Sequence, residues 1–128
     1  MTKILDAALA VSFLAFVPGC DNKPREVAYK DLGWENEKYM LEGATFTGVA
    51  NDIHKDGKPR SRWEINKGVP HGVVKEWHEN GQLIVETHYD SGLRHGLNRY
   101  WRPTGELMKE QVYEHGKSMS VKEFPAQP

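Results

Sequence analysis

Residues 72–92 read GVVKEWHENGQLIVETHYDSG, and the order of side chains in this stretch decides the fold. From Gly72 to His78, Val73 and Trp77 alternate with Val74, Glu76 and His78; beyond the turn, Leu83, Val85 and Tyr89 alternate with Glu86 and His88. A period of two places successive side chains on opposite surfaces, so these are strands with one covered face and one wet face. Asn80-Gly81 stands between them, a pair that signals a hairpin. Helix is a poor alternative, because the glycines would interrupt it and each costs about 1 kcal/mol relative to alanine.

The stretch recurs every 24 residues. Gly33, Gly57, Gly81 and Gly105 form one column, Gly48, Gly72 and Gly96 a second, and Gly68, Gly92 and Gly116 a third, which accounts for ten of the 12 glycines. Large side chains keep the same period: Tyr29, Ile53, Trp77 and Trp101; Leu41, Ile65, Tyr89 and Tyr113; Val49, Val73 and Leu97. Self-similarity at a fixed period is the mark of a repeat architecture. It assigns four copies to residues 26–124, the first of them a degenerate copy in which Ala44 stands where a glycine is expected.

The turns are specified more closely. Asp56-Gly57, Asn80-Gly81 and Thr104-Gly105 close successive hairpins. A two-residue type I′ loop needs positive φ at both positions, which the β-branched Thr104 resists. A three-residue loop, a type I turn closed by a left-handed glycine, asks this of the glycine alone and accepts Pro103 at its first corner. That loop sets Trp77 opposite Leu83 and Trp101 opposite Leu107, and it places the apolar columns on one face. The predicted fold is all-β: a single-layer antiparallel meander of tandem hairpins, with strands about 4.8 Å apart and each unit touching only its neighbours. Val121 and Phe124 are expected to form a closing strand, and residues 125–128 to be a disordered tail.

Tyr89-Asp90-Ser91-Gly92-Leu93-Arg94-His95-Gly96 and Trp77-His78-Glu79-Asn80-Gly81 resemble the MORN repeat, in particular its bacterial variant in YwqK-type antitoxin-like proteins. Thr45-Phe46-Thr47-Gly48 is similar to the segment that opens the first full repeat there. The resemblance runs over about residues 26 to 117. It implies the tandem β-repeat fold and a role in protein contacts or membrane attachment.

Residues 1–20 differ from the rest. Lys3 precedes an apolar stretch from Ala7 to Val17, and Pro18-Gly19 then lead into Cys20, the plan of a secretory signal peptide. The stretch is shorter than the roughly 20 apolar residues a spanning helix needs. Val17-Pro18-Gly19-Cys20 resembles the bacterial lipoprotein box, which implies acylation of Cys20, and Asp21 after it implies inner-membrane retention in enteric bacteria. Pro18 departs from the small or β-branched residue usual in that box. The alternative is a leader cut by the ordinary signal peptidase, with Cys20 incidental. Residues 21–25 read as a polar tether. The chain is therefore expected to be exported and lipid-anchored to a bacterial membrane, on the periplasmic face or the cell surface. Cys20 is the only cysteine, so no disulfide forms within the chain.

Lysine and arginine number 17 against 18 aspartate and glutamate in 128 residues, interspersed along the chain. One domain fits this length, and the balanced charge offers no basic field for nucleic acid. No catalytic constellation stands out. No serine or cysteine nucleophile has a histidine at a recognisable spacing, and the glycines never cluster before a helix as a phosphate loop would. His71 and His95 share one repeat phase beside a glycine, where the resemblance implies turn packing, and units roughly 10 Å apart cannot bring both onto one zinc ion. His78 and His88 are expected on the wet face with Glu76 and Glu86. No metal, cofactor or catalytic residue is assigned.

Trp63, Trp77, Trp101, Tyr89 and Tyr113 are the candidate partner-binding residues, large side chains on a sheet for which no helix or second sheet is predicted as cover. Either the twisted sheet curls and the rings stack on one another, or part of the face stays open for a protein. The expected function is a monomeric, membrane-tethered, non-enzymatic protein–protein interaction module of the bacterial envelope, with an immunity or antitoxin-like role among its forms. The alternative is a structural envelope protein that binds lipid headgroups or cell-wall glycan, and an enzyme ranks last.

Overall fold

A computed structural model describes residues 23–128, so the signal segment, Cys20 and Asp21 lie outside the described residues. The strands are Glu26–Ala28 (β1), Gly33–Glu35 (β2), Lys38–Leu41 (β3), Ala44–Thr45 (β4), Gly48–Ile53 (β5), Pro59–Asn66 (β6), Val69–Trp77 (β7), Leu83–Asp90 (β8), Leu93–Arg94 (β9), Gly96–Trp101 (β10), Leu107–Glu114 (β11) and Lys117–Glu123 (β12), with a 3-10 turn at Tyr29–Asp31. Among the described residues the main sheet runs β1, β5, β6, β7, β8, β10, β11, β12, with β9 pairing β8 beside it. From β5 onward every neighbour is antiparallel, as the repeat requires. β1 caps the other edge in parallel with β5. The closing strand forms as β12, and just beyond it the Phe124 N–H donates to Met108 O at 2.8 Å.

Each hairpin is closed by the three-residue loop that Thr104 and Pro103 demand. The Gly81 N–H donates to His78 O at 2.9 Å, the His78 N–H donates to Gln82 O at 2.8 Å, and Gly81 holds φ of 86°. The loops at Gly57 and Gly105 repeat this pattern. Trp77 pairs with Leu83 and Trp101 with Leu107. Consecutive units are joined by two-residue turns, Lys67-Gly68, Ser91-Gly92 and His115-Gly116, left-handed at both positions. The glycine N–H of each donates one repeat back, to the carbonyl of Phe46, Pro70 or Arg94.

The placement of all apolar columns on one face is overturned. Glu76 pairs with Val85 but Trp77 with Leu83, so Ile84 is an extra residue in β8; Met108 is its equivalent in β11. One inserted residue reverses the alternation of everything beyond it. Tyr89 therefore lies opposite Gly72 and Thr87 opposite Val74, while Val73 faces His88. Trp63, paired with Val74, belongs with Tyr89 and Tyr113 on what we call the inner face; Trp77 and Trp101 stand together on the outer face. The same reversal puts Glu76 and Glu86 on opposite faces, because Glu86 pairs with Lys75.

The first copy also leaves the single layer that the sequence predicts. Asn36 and Glu37 take φ of 49° and 61° and fold β2 back on β3, so β2, β3 and β4 form a separate small sheet. It is stitched to the ribbon where the Tyr39 N–H donates to Gly68 O and the Gly68 N–H to Phe46 O, both at 2.8 Å. The core lies beneath it: Phe46, Ala50 and Ile65 are buried, with Val27, Tyr29, Leu32, Tyr39, Leu41 and Trp63 packed around them. Every member of that cluster precedes Asn66, so the cover extends over the first half of the inner face only.

Candidate functional site

Along the repeat columns of the inner face, the side chains change where the cover ends. Leu41 and Ile65 give way to Tyr89 and Tyr113, Phe46 and Pro70 to Arg94, and Ala50 and Val74 to Asn98. Under the small sheet the columns are apolar, as burial demands. Beyond it Tyr89, Tyr113 and Arg94 carry an apolar body with a polar tip, the kind of side chain that suits a surface half in water and half in contact, while Asn98 is buried among them.

The strip at the open end is built around Arg94. Register pairs Arg94 with Tyr89, and Gly96 with Tyr113 on the next strand, so the guanidinium sits between two phenols. Its carbon lies 5.4 Å from the centre of the Tyr113 ring, and Nη1 donates to the Tyr113 hydroxyl at 3.2 Å. The Tyr89 hydroxyl, then that of Tyr113, raise the Arg94 pKa above its ordinary value. Tyr100 pairs with Lys109, whose Nζ stands 4.2 Å over the ring. Burial pushes the Tyr100 phenol up against the opposing Arg94 charge, so it stays neutral and able to donate. Beneath this layer Asn98 is fully buried; its Oδ1 accepts from the His88 N–H at 2.9 Å, while Nδ2 has no acceptor among the described residues.

Of the five aromatics singled out in the sequence, Tyr89 and Tyr113 fall in this strip. Trp63 shares their face but lies in the covered half, its ring 5.7 Å from Tyr29 and 6.2 Å from Tyr39. The Tyr29 and Tyr39 hydroxyls meet at 2.8 Å, and burial, then that bond, drive the Tyr39 phenol well above its usual range. The rings stack on one another where the small sheet covers them, while Tyr89 and Tyr113 are half-buried beyond it. Trp77 and Trp101 are half-buried on the outer face. Cys20 lies outside the described residues. Arg94, Tyr100 and Lys109 were not singled out; of these, only Arg94 ends a column, with Phe46 and Pro70 before it, whose change in character the sequence exposes.

The outer face is an ordinary charged surface. Arg62, Lys75, Glu86, Arg99, Glu110 and Lys122 stand side by side on successive strands. Arg62 bridges to Glu64 at 2.6 Å, Lys75 to Glu86 at 3.5 Å and Arg99 to Glu110 at 3.8 Å, while the Lys122 Nζ lies 4.8 Å over the Phe124 ring. Alternating charges across strands hold register and contribute a few tenths of a kcal/mol each.

The histidines are structural. His71 and His95 accept backbone N–H groups from the next turn. The His88 Nδ1 bonds Leu97 O at 2.7 Å, so it is committed to the sheet, and His78 is tucked in with a buried Nε2 rather than projecting into solvent. Among the described residues no group of three metal-ligating side chains comes together. Two of the clefts are one of about 630 Å³ between Glu26, Lys30, Asn51 and Ile53, and one of about 460 Å³ between Arg102, Met108, Lys109, Glu123 and Phe124. Neither gathers a nucleophile and a base.

The family model described as the MORN repeat variant matches residues 70–91, the β7–β8 hairpin up to the Ser91-Gly92 turn. This repeat marks a β-rich module of the protein-interaction or membrane-binding kind, and proteins carrying it are generally non-catalytic. No curated protein and no solved structure matches the chain.

Proposed function

We propose that this chain is a non-enzymatic interaction module of a bacterial envelope, tethered through an acylated Cys20, whose open inner-face strip binds a protein partner; an immunity or antitoxin-like role is one form such binding takes. The observation that carries this reading is the change along the repeat columns from a buried apolar face to Tyr89, Arg94 and Tyr113, where no second layer covers them among the described residues, with Tyr100 beside them. Tyrosine and arginine are the residues enriched at the centres of protein interfaces, because they join a large contact area to directed hydrogen bonds. On the outer face of the described residues, Arg62, Lys75 and Arg99 are instead paired with carboxylates. Support for the tether is the lipoprotein-like Val17-Pro18-Gly19-Cys20 followed by a short polar segment.

Photo-crosslinking in native cells tests the binding face. A photoreactive residue at position 113 is expected to give one discrete protein adduct and the same residue at position 101 none. An adduct from position 101 alone would transfer the function to the outer face. Labelling with a fatty-acid analogue tests the tether separately: Cys20→Ala is expected to abolish incorporation and release the chain from the membrane fraction.

A further inference from the structure

We propose that what the partner lays on this strip is a carboxylate-bearing, extended acidic segment, seated on the Arg94 guanidinium between Tyr89 and Tyr113; this rests on the interaction-module reading above. Arg62, Lys75 and Arg99 on the outer face each have a carboxylate within salt-bridge distance. On the inner face Arg94 has none among the described residues, its neighbours being the Tyr89 and Tyr113 phenols; Lys109 lies over the Tyr100 ring with Glu123 as its cross-strand neighbour. A guanidinium carries five donors in a planar fork, and the Tyr89 and Tyr113 oxygens engage only part of it. The remaining N–H groups match the two oxygens of a carboxylate, the bidentate geometry that arginine favours.

The surroundings prepare the site for that ligand. Stacking on Tyr113 and the hydrogen bond to its hydroxyl restrain a long side chain that would otherwise lose rotamer freedom on binding. The Tyr89 and Tyr113 hydroxyls are further donors to an anion, and Lys109 supplies a second positive charge on the same surface. Two cations are too few for a lipid surface, which recruits clusters of about 4–8 basic residues. The chain as a whole is nearly neutral at −1, so no long-range field draws it to an anionic bilayer.

The ¹⁵N-labelled full-length chain, observed by NMR at the Arg94 Nε–H, is titrated with three probes: an end-blocked octapeptide of alternating Glu and Val, its Gln/Val counterpart, and vesicles of phosphatidylserine and phosphatidylcholine. The acidic peptide is expected to shift the Arg94, Tyr89 and Tyr113 signals saturably, about tenfold more tightly than the Gln peptide. Added salt weakens the effect. Arg94→Gln, an exposed change checked by an unaltered melting temperature, abolishes it, and Arg94→Lys restores it in part because charge returns without the fork. Equal binding of both peptides, lost in Tyr113→Ala but not in Arg94→Gln, overturns the acidic preference and leaves the interaction surface standing. Binding of vesicles with no response to either peptide overturns both readings.

Discussion

The Nδ1 of His71 accepts the backbone N–H of Ser91, 20 residues ahead, at 3.0 Å, and in the next unit His95 does the same for His115 at 3.3 Å. At the corresponding position of the preceding unit, Thr47 Oγ1 accepts from the Lys67 N–H at 2.9 Å. Each turn that joins two units has a left-handed first residue whose N–H has no partner within its own hairpin, and this column supplies the acceptor from one repeat back. Histidine beside glycine is thus a stitch between repeats, and its spacing owes nothing to a metal.

His71→Ala is expected to lower stability by about 0.5–1 kcal/mol, the net worth of a partly exposed hydrogen bond. His71→Thr should recover most of that loss, because Thr47 fills the same role. Urea unfolding of the three proteins checks this, and an equal loss in both variants would contradict the stitch.

Two glycines separate strain from collision. Gly81 closes a loop at φ of 86° with open space around it, whereas Gly72 lies at φ of 103° against the Glu64 side chain, which an added Cβ would strike. Gly81→Ala is expected to cost about 1–2 kcal/mol, the left-handed penalty alone. Gly72→Ala should cost more, because the Glu64 carboxylate must move and give up its hydrogen bond from the Val73 N–H, with melting temperatures giving the order.

How much of this was legible in the sequence depends on which residues leave a compositional trace. The period, the loop at Asn80-Gly81 and the pairing of Trp77 with Leu83 follow from glycine columns and from what Thr104 and Pro103 permit. The bulges leave no such trace, since Ile84, Met108 and Arg60 share a phase without sharing chemistry. An unsignalled insertion of one residue is nevertheless enough to send Trp77 to one surface and Tyr89 to the other. The small sheet depends on Asn36-Glu37 turning where the other copies run straight, a local choice the repeat argues against. Arg94 was missed because a lone cation among interspersed charges has no meaning until its neighbours are known to be phenols.

Glu64 sets an acid limit. Burial works against its ionisation, yet the Arg62 guanidinium, the Val73 N–H at 2.8 Å and the nearby Lys75 together hold its carboxyl below the ordinary glutamate value of 4.5. A depressed folded value means the stabilisation is complete above that ordinary value and disappears as pH falls through the folded one. The stability gap between the wild type and Glu64→Gln is therefore expected to be widest at neutral pH and to close below pH 4.5, as read by unfolding at a series of pH values. A gap independent of pH would contradict the assignment.

The tryptophans should divide by face. Trp63 packs on Tyr29, Tyr39 and the buried cluster, so Trp63→Ala is expected to cost about 3 kcal/mol or more. Trp101, half-buried beside Leu107 with no second layer, should cost less than about 2 kcal/mol. Denaturant midpoints rank the two, and the opposite order would mean that the core lies on the other surface.

The division of the aromatic columns between two surfaces is tested most directly by side-chain nuclear Overhauser effects in solution. The account predicts cross-peaks from the Trp63 indole to Tyr29 and Tyr39 and from Trp77 to Leu83, with none between Trp77 and Tyr89. A cross-peak joining the Trp77 indole to the Tyr89 ring would contradict it, because it would place all the aromatic columns on one face and remove the bulge at Ile84.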